Sequence, residues 1–414
     1  MKVKQVSLLG NGPRNGLWKD SFRADVKVGR FLSVLALSGV SASLYKGIQD
    51  NYLAEIVHIS AFERGIVEFF REIPGLFVVL LLALMYRFTE SRVFKLGTAL
   101  MLAGLAGLLL SGSGKFIVVL FMVLYSLGEH IIMPVKTTLT LDMTRKDKSG
   151  SALGITGAIG QVGSIIGYVG VMVMFFLFSR IGFKRGDPAS FKIVFAVAVA
   201  LMLAATLVVL ALQETNVIGQ RQRFYFAKKF SIYYMLEVFY GARKQIFITF
   251  APYVLILQYG ADASLISLLL AICAGCGIVC NPLVGKLIDR LGFKFVMVTD
   301  TLLLVIVCLL YGFAHRIFPM HIAFIVVCAN YVLDSIISTA SMATNVYVQS
   351  IAASHKEITA TLSTGVSVNH VISILIALLG GAIWNAVGIE TLFTLSAVLG
   401  LANSAYAATI KVKH

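Results

Sequence analysis

The sequence predicts an all-α membrane protein, twelve transmembrane helices arranged as two pseudo-symmetric six-helix bundles. Three observations carry that expectation. Apolar residues make up 58% of the chain and charged residues only 13%, with mean hydropathy +0.88, far from the balance that a water-facing surface requires. Twelve separate runs are apolar and long enough to cross a hydrocarbon core, which takes about 20 residues per helix. The longest polar connection between runs falls after the sixth.

In chain order, residues 1–28 form a basic, mostly polar tail. It has no short apolar segment before a small-residue cleavage site, so no cleaved signal is expected. The spans lie at 29–53, 60–86, 93–112, 116–141, 150–178 and 191–212, then at 231–257, 262–288, 294–313, 321–348, 358–386 and 389–410. Residues 29–212 make the N-terminal bundle, 213–230 a cytoplasmic linker carrying Arg221, Arg223, Lys228 and Lys229, and 231–414 the C-terminal bundle. Barrel strands would alternate over about ten residues, whereas these runs are continuously apolar. The second and fourth spans carry charge and are the weakest of the set.

Most of the 35 lysines and arginines fall on the tail, the even-numbered connections and the C-terminus. The positive-inside rule then places both termini in the cytoplasm of a cell (inner or plasma) membrane, with Arg64, Lys115, Arg180, Lys184, Arg185, Lys192 and Arg316 outside. The net charge of +15 is thus topogenic and lipid-facing, and gives no sign of nucleic-acid binding. Cys273, Cys276, Cys280, Cys308 and Cys328 all sit in apolar runs, where they act as small packing residues and not as a disulfide framework.

The halves repeat weakly. Tyr125, Leu127, Ile131 and Thr138 align at one constant offset with Tyr331, Leu333, Ile337 and Thr344, and Thr156, Gly157 and Gln161 align with Thr364, Gly365 and Asn369. After the eighth span, Gly285 to Lys294 reads G-x-L-x-D-R-x-G-x-K. The matching first-half loop, Tyr86 to Lys95, keeps an acid, flanking cations and the Phe-Lys end but lacks the glycines. This pattern resembles the loop signature of the major facilitator superfamily, and the resemblance extends over the whole chain. It implies a conformational latch at Gly285, Asp289 and Arg290, with Glu90 in the first half, and a central path lined by the first, fourth, seventh and tenth spans. The fifth span sets Gly154, Gly157, Gly160, Gly163, Gly167 and Gly170 on one stripe, which lets another helix approach. It lacks the Gly-Pro pair of the family's exporter motif.

An ionised side chain at the centre of a lone transmembrane helix costs about 2.5–3.5 kcal/mol on insertion scales. Such groups must face water, one another or a ligand. The cations are Lys46, Arg71, Lys136, Arg243 and Lys244; the acids are Asp50, Glu68, Glu72, Glu129 and Asp334. Lys46 and Asp50, spaced i, i+4, can pair locally. Glu68, Arg71 and Glu72 form an arc just before Pro74 and Gly75 that reads equally as a structural triad or a site. Glu129 and Lys136 share a face with Met133 between them. Arg243 and Lys244 diverge by about 100°, so one points into a cavity while the other meets an acid such as Asp334 or Glu129.

Cations at this depth hold a carboxylate or phosphate, and acids beside them offer a proton route. The expected substrate-binding residues are Lys46, Arg71, Lys136, Arg243, Lys244, Asn369 and His370. The expected proton carriers are Glu129, Asp334 and Glu72, with His130 beside the first. The Cys273-x-x-Cys276 spacing lies in an apolar span with no second pair, and Gly112 to Phe116 lacks the rest of a phosphate loop. With no HExxH or GxSxG either, no metal, cofactor or catalytic residue is expected.

The function expected is secondary active transport of a small organic anion, proton-coupled and importing, by alternating access in a monomer embedded in the lipid bilayer. An exporter of amphipathic drugs or lipid-like molecules would instead call for an aromatic, weakly charged cavity. A non-transporting receptor or scaffold would call for a soluble effector domain.

Overall fold

The computed structural model describes residues 20–23, 25–85, 87–145, 148–213 and 225–411. Most of the expected tail and linker, with Arg221, Arg223, Tyr86 and Lys413, lie outside the described residues. The described chain forms twelve long helices: α1 (Val26–Ile56), α2 (Ala61–Leu84), α3 (Glu90–Leu110), α4 (Lys115–Asp142), α5 (Ser149–Arg180) and α6 (Pro188–Leu210), then α7 (Ser231–Tyr259), α8 (Ala263–Leu291), α9 (Phe293–Ile317), α10 (Met320–Ile351), α11 (His355–Val387) and α12 (Ile389–Ala408). Helix is the only backbone that satisfies its own polar groups in lipid as single segments. Side chains such as Leu207, Val279, Ile306, Ile325 and Leu379 stand exposed on the outer faces, where acyl chains replace water.

Ten of these helices are long and apolar enough to cross a membrane by composition alone. The exceptions are α2 and α7. Charge weakens the second and fourth spans in the sequence, yet α4 qualifies, whereas α7, with the polar run Arg243-Lys244-Gln245 near its middle, does not. The ends are set locally. Thr89, Asp187, Asp262 and Ser354 accept backbone N–H bonds at the starts of α3, α6, α8 and α11. The left-handed Gly260 (φ 72°) closes α7. Prolines interrupt α2, α4, α7 and α8 at Pro74, Pro134, Pro252 and Pro282, and a 3-10 turn at Thr339–Ser341 breaks α10.

Within the first half, α1 packs on α5 and α6, and α3 on α4 and α6; within the second, α7 packs on α11 and α12, and α9 on α10 and α12. The halves meet along two seams, α2 with α11 and α5 with α8. Small residues permit the first: a Cβ on Gly381 would lie 2.8 Å from the Phe62 carbonyl oxygen, and one on Gly65 would collide with that of Ala377. The α5 glycine stripe is used along only part of its length. Gly163 and Gly167 pack against Gly39, Val40 and Ser43 of α1, whereas nothing lies within 4 Å of a Cβ built at Gly154, Gly157 or Gly160.

Candidate transport site

The ionisable groups of the first half assemble into two structures. Lys46 of α1 reaches across to Glu129 of α4, Nζ to Oε1 2.6 Å, with side chains 41% and 22% exposed. A ladder along α2 forms the other. Asp50 accepts from Arg64 Nε at 2.9 Å, Arg64 Nη1 donates to Glu68 at 2.8 Å, and Arg71 donates to Glu68 at 2.9 and 2.5 Å and to Glu72 at 2.6 Å. The expected local pair of Lys46 with Asp50 is therefore not formed. Each finds a partner on another helix, because the packing of α1 brings Glu129 and Arg64 closer than one turn of helix allows. Arg64, placed outside by the charge count, is buried at 1% exposure, and its guanidinium lies 5.7 Å from the Tyr253 ring centre.

The second half has one matching pair. Arg243 of α7 donates Nη1 to Asp334 of α10 at 2.7 Å and Nη2 to Ser338 at 3.1 Å, immediately before the 3-10 break. Here the side chains are 4% and 14% exposed. Each half thus ties its first span to its fourth by one cation and one carboxylate. Nearby, Glu237 accepts from Asn369 Nδ2 at 3.2 Å, and Gly241 makes room for that amide. Glu237 was not among the expected groups, although its i, i+7 relation to Lys244 puts both on one face of α7.

Two side chains of the second half bond to the α2 ladder. Gln245 donates Nε2 to Glu68 at 3.1 Å, and His370 Nδ1 lies 3.0 Å from Glu72 Oε2. Farther from the linker, Asn51 donates to the Ala261 carbonyl at 3.0 Å, Ser267 to that of Gly47 at 3.0 Å, Ser264 to that of Met172 at 3.2 Å, and Arg185 to that of Gly260 at 2.5 Å. These bonds between the halves lie at mid-helix or toward the end opposite the linker. Those of Asn51, Ser267, Ser264 and Arg185 fasten the two halves together at that far end.

The remaining expected residues stand apart. Lys136 and Lys244 are half-buried and, among the described residues, enter no ion pair. Asp289 and Arg290 are exposed on the last turn of α8, Gly285 has open space around it, and among the described residues none joins the two halves. Lys294 of the same motif donates to the Ile410 carbonyl at 2.8 Å, fastening α9 to the end of α12. Glu90 is buried in the first turn of α3, where a carboxylate complements the helix dipole. At the linker end, Glu357 precedes the apolar stretch of α11 that begins at Ala360. Hydrogen bonds from Lys229, the Ala353 N–H and Tyr225 hold its carboxyl down at about 2.

The model of the Major Facilitator Superfamily matches residues 31–232 and again 233–412. Among solved structures, the chain is similar to a nucleoside transporter, NupG (14% identity, TM-score 0.71, covering 94% of this chain and 100% of that one). It is similar to a D-xylose–proton symporter (11%, TM-score 0.72, covering 93% and 97%) and to a POT family transporter in complex with 5-aminolevulinic acid (11%, TM-score 0.71, covering 91% and 94%). No curated protein matches the chain in sequence.

Proposed function

The chain belongs to the major facilitator superfamily and is a multi-pass membrane transporter, not an enzyme; from that premise we propose that it carries a small organic anion together with a proton by alternating access. The observation that carries this reading is the pair of matched bridges, Lys46–Glu129 and Arg243–Asp334, one in each half between the first and fourth spans. Such a bridge is an exchange element. A proton on the carboxylate cancels its charge and frees the cation, which then takes the carboxylate or phosphate of the solute in its place. One proton and one anionic group enter together and the charge of the site is conserved. Leaving either cation unpaired in a low-dielectric site is costly, so neither ion binds well without the other.

Glu129 and Asp334 are the proton carriers in this scheme, and Lys46 and Arg243 hold the anion. Lys136 and Lys244 attract it toward the bridges, and Asn369 contributes a hydrogen bond. Glu72, Arg71 and His370 belong to the seam that holds the halves together. Asp289, Arg290, Gly285 and Glu90 act at the linker end when the halves rock, the latch role that the loop motif implies. The distribution of Lys and Arg supports a cytoplasmic linker end in a cell membrane, and the two seams within one chain fit a monomer.

A second reading follows from the same bridges. Lys46, Arg71 and Arg243 already hold carboxylates, so an uncharged polar solute, bound while the bridges stay closed, also fits. Counter-flow into proteoliposomes with a labelled monocarboxylate, dicarboxylate, sugar phosphate, nucleoside and pentose decides between them. The anion reading expects exchange of a charged solute that is lost when Arg243→Gln and Lys244→Gln are combined. Exchange of only the nucleoside or pentose, or anion exchange surviving in that variant, overturns it.

A further inference from the structure

Charge along the α2 ladder does not balance. Asp50, Glu68 and Glu72 set three carboxylates against the two guanidiniums of Arg64 and Arg71, leaving one negative charge in excess. Arg71 is shared between Glu68 and Glu72 Oε1, so the excess is expressed at Glu72 Oε2. That oxygen faces two imidazoles, His370 of α11 and His130 of α4. The Glu72, His130 and His370 donor atoms all lie within 4.8 Å of one another. The imidazole centroids are 5.3 Å apart, edge to face.

We infer that Glu72, His130 and His370 form a binding site for a divalent transition-metal ion of the zinc class, with a fourth position left to water. Three features set it apart from a chance cluster. His130 Nδ1 lies 2.8 Å from the Ser126 carbonyl oxygen and 3.1 Å from its hydroxyl, and a donor bond to that carbonyl leaves the Nε2 lone pair facing the cluster. This is the outer bond that metal-ligating histidines make. Gly75 is the cradle: a Cβ there would lie 2.6 Å from His130 Nε2 and 2.9 Å from His370 Cε1, so any other residue would push both rings away. Glu72 is oriented by the Arg71 bond on its other oxygen, in the manner of a carboxylate ligand with an outer partner.

Zinc takes nitrogen and oxygen donors at about 2.0–2.2 Å, which sets ligand atoms about 3.5 Å apart around the ion. His370 Nδ1 and Glu72 Oε2 are already at 3.0 Å, and the His130 donor lies within 4.8 Å of both, so a small rotation of its ring completes the set. The ion supplies the positive charge that the ladder lacks. Because His370 comes from the second half while the other ligands come from the first, bound metal fastens α11 to α2 and α4 and so ties the two halves together. Sequence spacing could not reveal this site, since its ligands come from three helices.

The test uses the full chain, purified in detergent and stripped with a chelator, then titrated with Zn2+ by calorimetry and with Co2+ by visible absorption. One ion per chain, a Co2+ spectrum typical of nitrogen and oxygen ligands, and a Zn2+-dependent rise in Tm are expected. His370→Gln and His130→Gln should each weaken binding at least tenfold, whereas Cys276→Ser should leave it unchanged. If a histidine variant does not fold, Gly75→Val, which occupies the cradle without removing a ligand, should also weaken binding at least tenfold. A wild-type chain that takes up no stoichiometric ion, or binding that survives both histidine variants or vanishes with Cys276→Ser, overturns the assignment.

Discussion

The two halves solve the same problem with different margins. Both cross-link their first and fourth spans through a cation and a carboxylate, yet Lys46 is 41% exposed and Glu129 22%, whereas Arg243 and Asp334 are 4% and 14% exposed. The first-half bridge rests on one bond between a flexible ammonium and a carboxylate, both partly exposed. In the second half, a planar guanidinium is held additionally by Ser338 and lies 5.3 Å from the Tyr240 ring centre. The difference teaches that equivalent bridges need not open together. In the proposed scheme the more exposed bridge is the one that exchanges ions first, while the more buried one keeps its charge paired.

Substitutions sharpen that contrast in a definite order. The largest effect belongs to Glu68, fully buried and shared by Arg64, Arg71 and Gln245. Glu68→Gln removes the buried carboxylate that both guanidiniums share, leaving Arg64 with Asp50 and Arg71 with Glu72 as their remaining carboxylate partners, at about 3–5 kcal/mol. The detergent-solubilised variant should show a Tm fall greater than any of the substitutions below. Asp334→Asn ranks next, since it strands the buried Arg243. Its destabilisation should be about 3 kcal/mol in denaturant titration, and restored in part by Arg243→Gln in the same chain.

Glu129→Gln should cost no more than about 1 kcal/mol, because Lys46 can turn to water. If its Tm falls as far as that of Asp334→Asn, the proposed contrast between a wet and a dry bridge is wrong. The smallest effect concerns Glu357, outside both bridges. Its carboxyl is held at about 2 in the folded chain, below the usual value of about 4.3. Its stabilising contribution is therefore fully present above about pH 4.3 and is lost as pH falls toward 2. Glu357→Gln should show a slight Tm deficit at neutral pH that shrinks on acidification, read by scanning Tm against pH.

Much of this architecture was legible in the residues. Twelve long helices follow from the runs that the bilayer's demand for about 20 residues per span picks out, ten of them apolar enough by composition alone. The grouping of Glu68, Arg71 and Glu72 followed from helical spacing, and Asp334 was correctly suggested as a partner for Arg243 or its neighbour. Three things were not legible. Lys46 and Asp50 satisfy the i, i+4 rule, but helix packing offered each a better partner at Glu129 and Arg64. Arg64 looked like an outer-loop residue because it stands near the start of α2, and only the folded seam shows it buried against Tyr253. Glu237 lies inside an apolar run, where one acid among many hydrophobes gives no periodic signal; its engagement with Asn369 of α11 is purely tertiary.

The exchange proposed at the wetter bridge is tested most directly by solute accumulation in proteoliposomes under an imposed pH gradient, with the labelled anion that wild-type protein exchanges best. Wild-type protein should concentrate that anion above equilibrium, and Glu129→Gln should only equilibrate it while keeping counter-flow. Gradient-driven accumulation undiminished in Glu129→Gln would contradict proton exchange at this bridge.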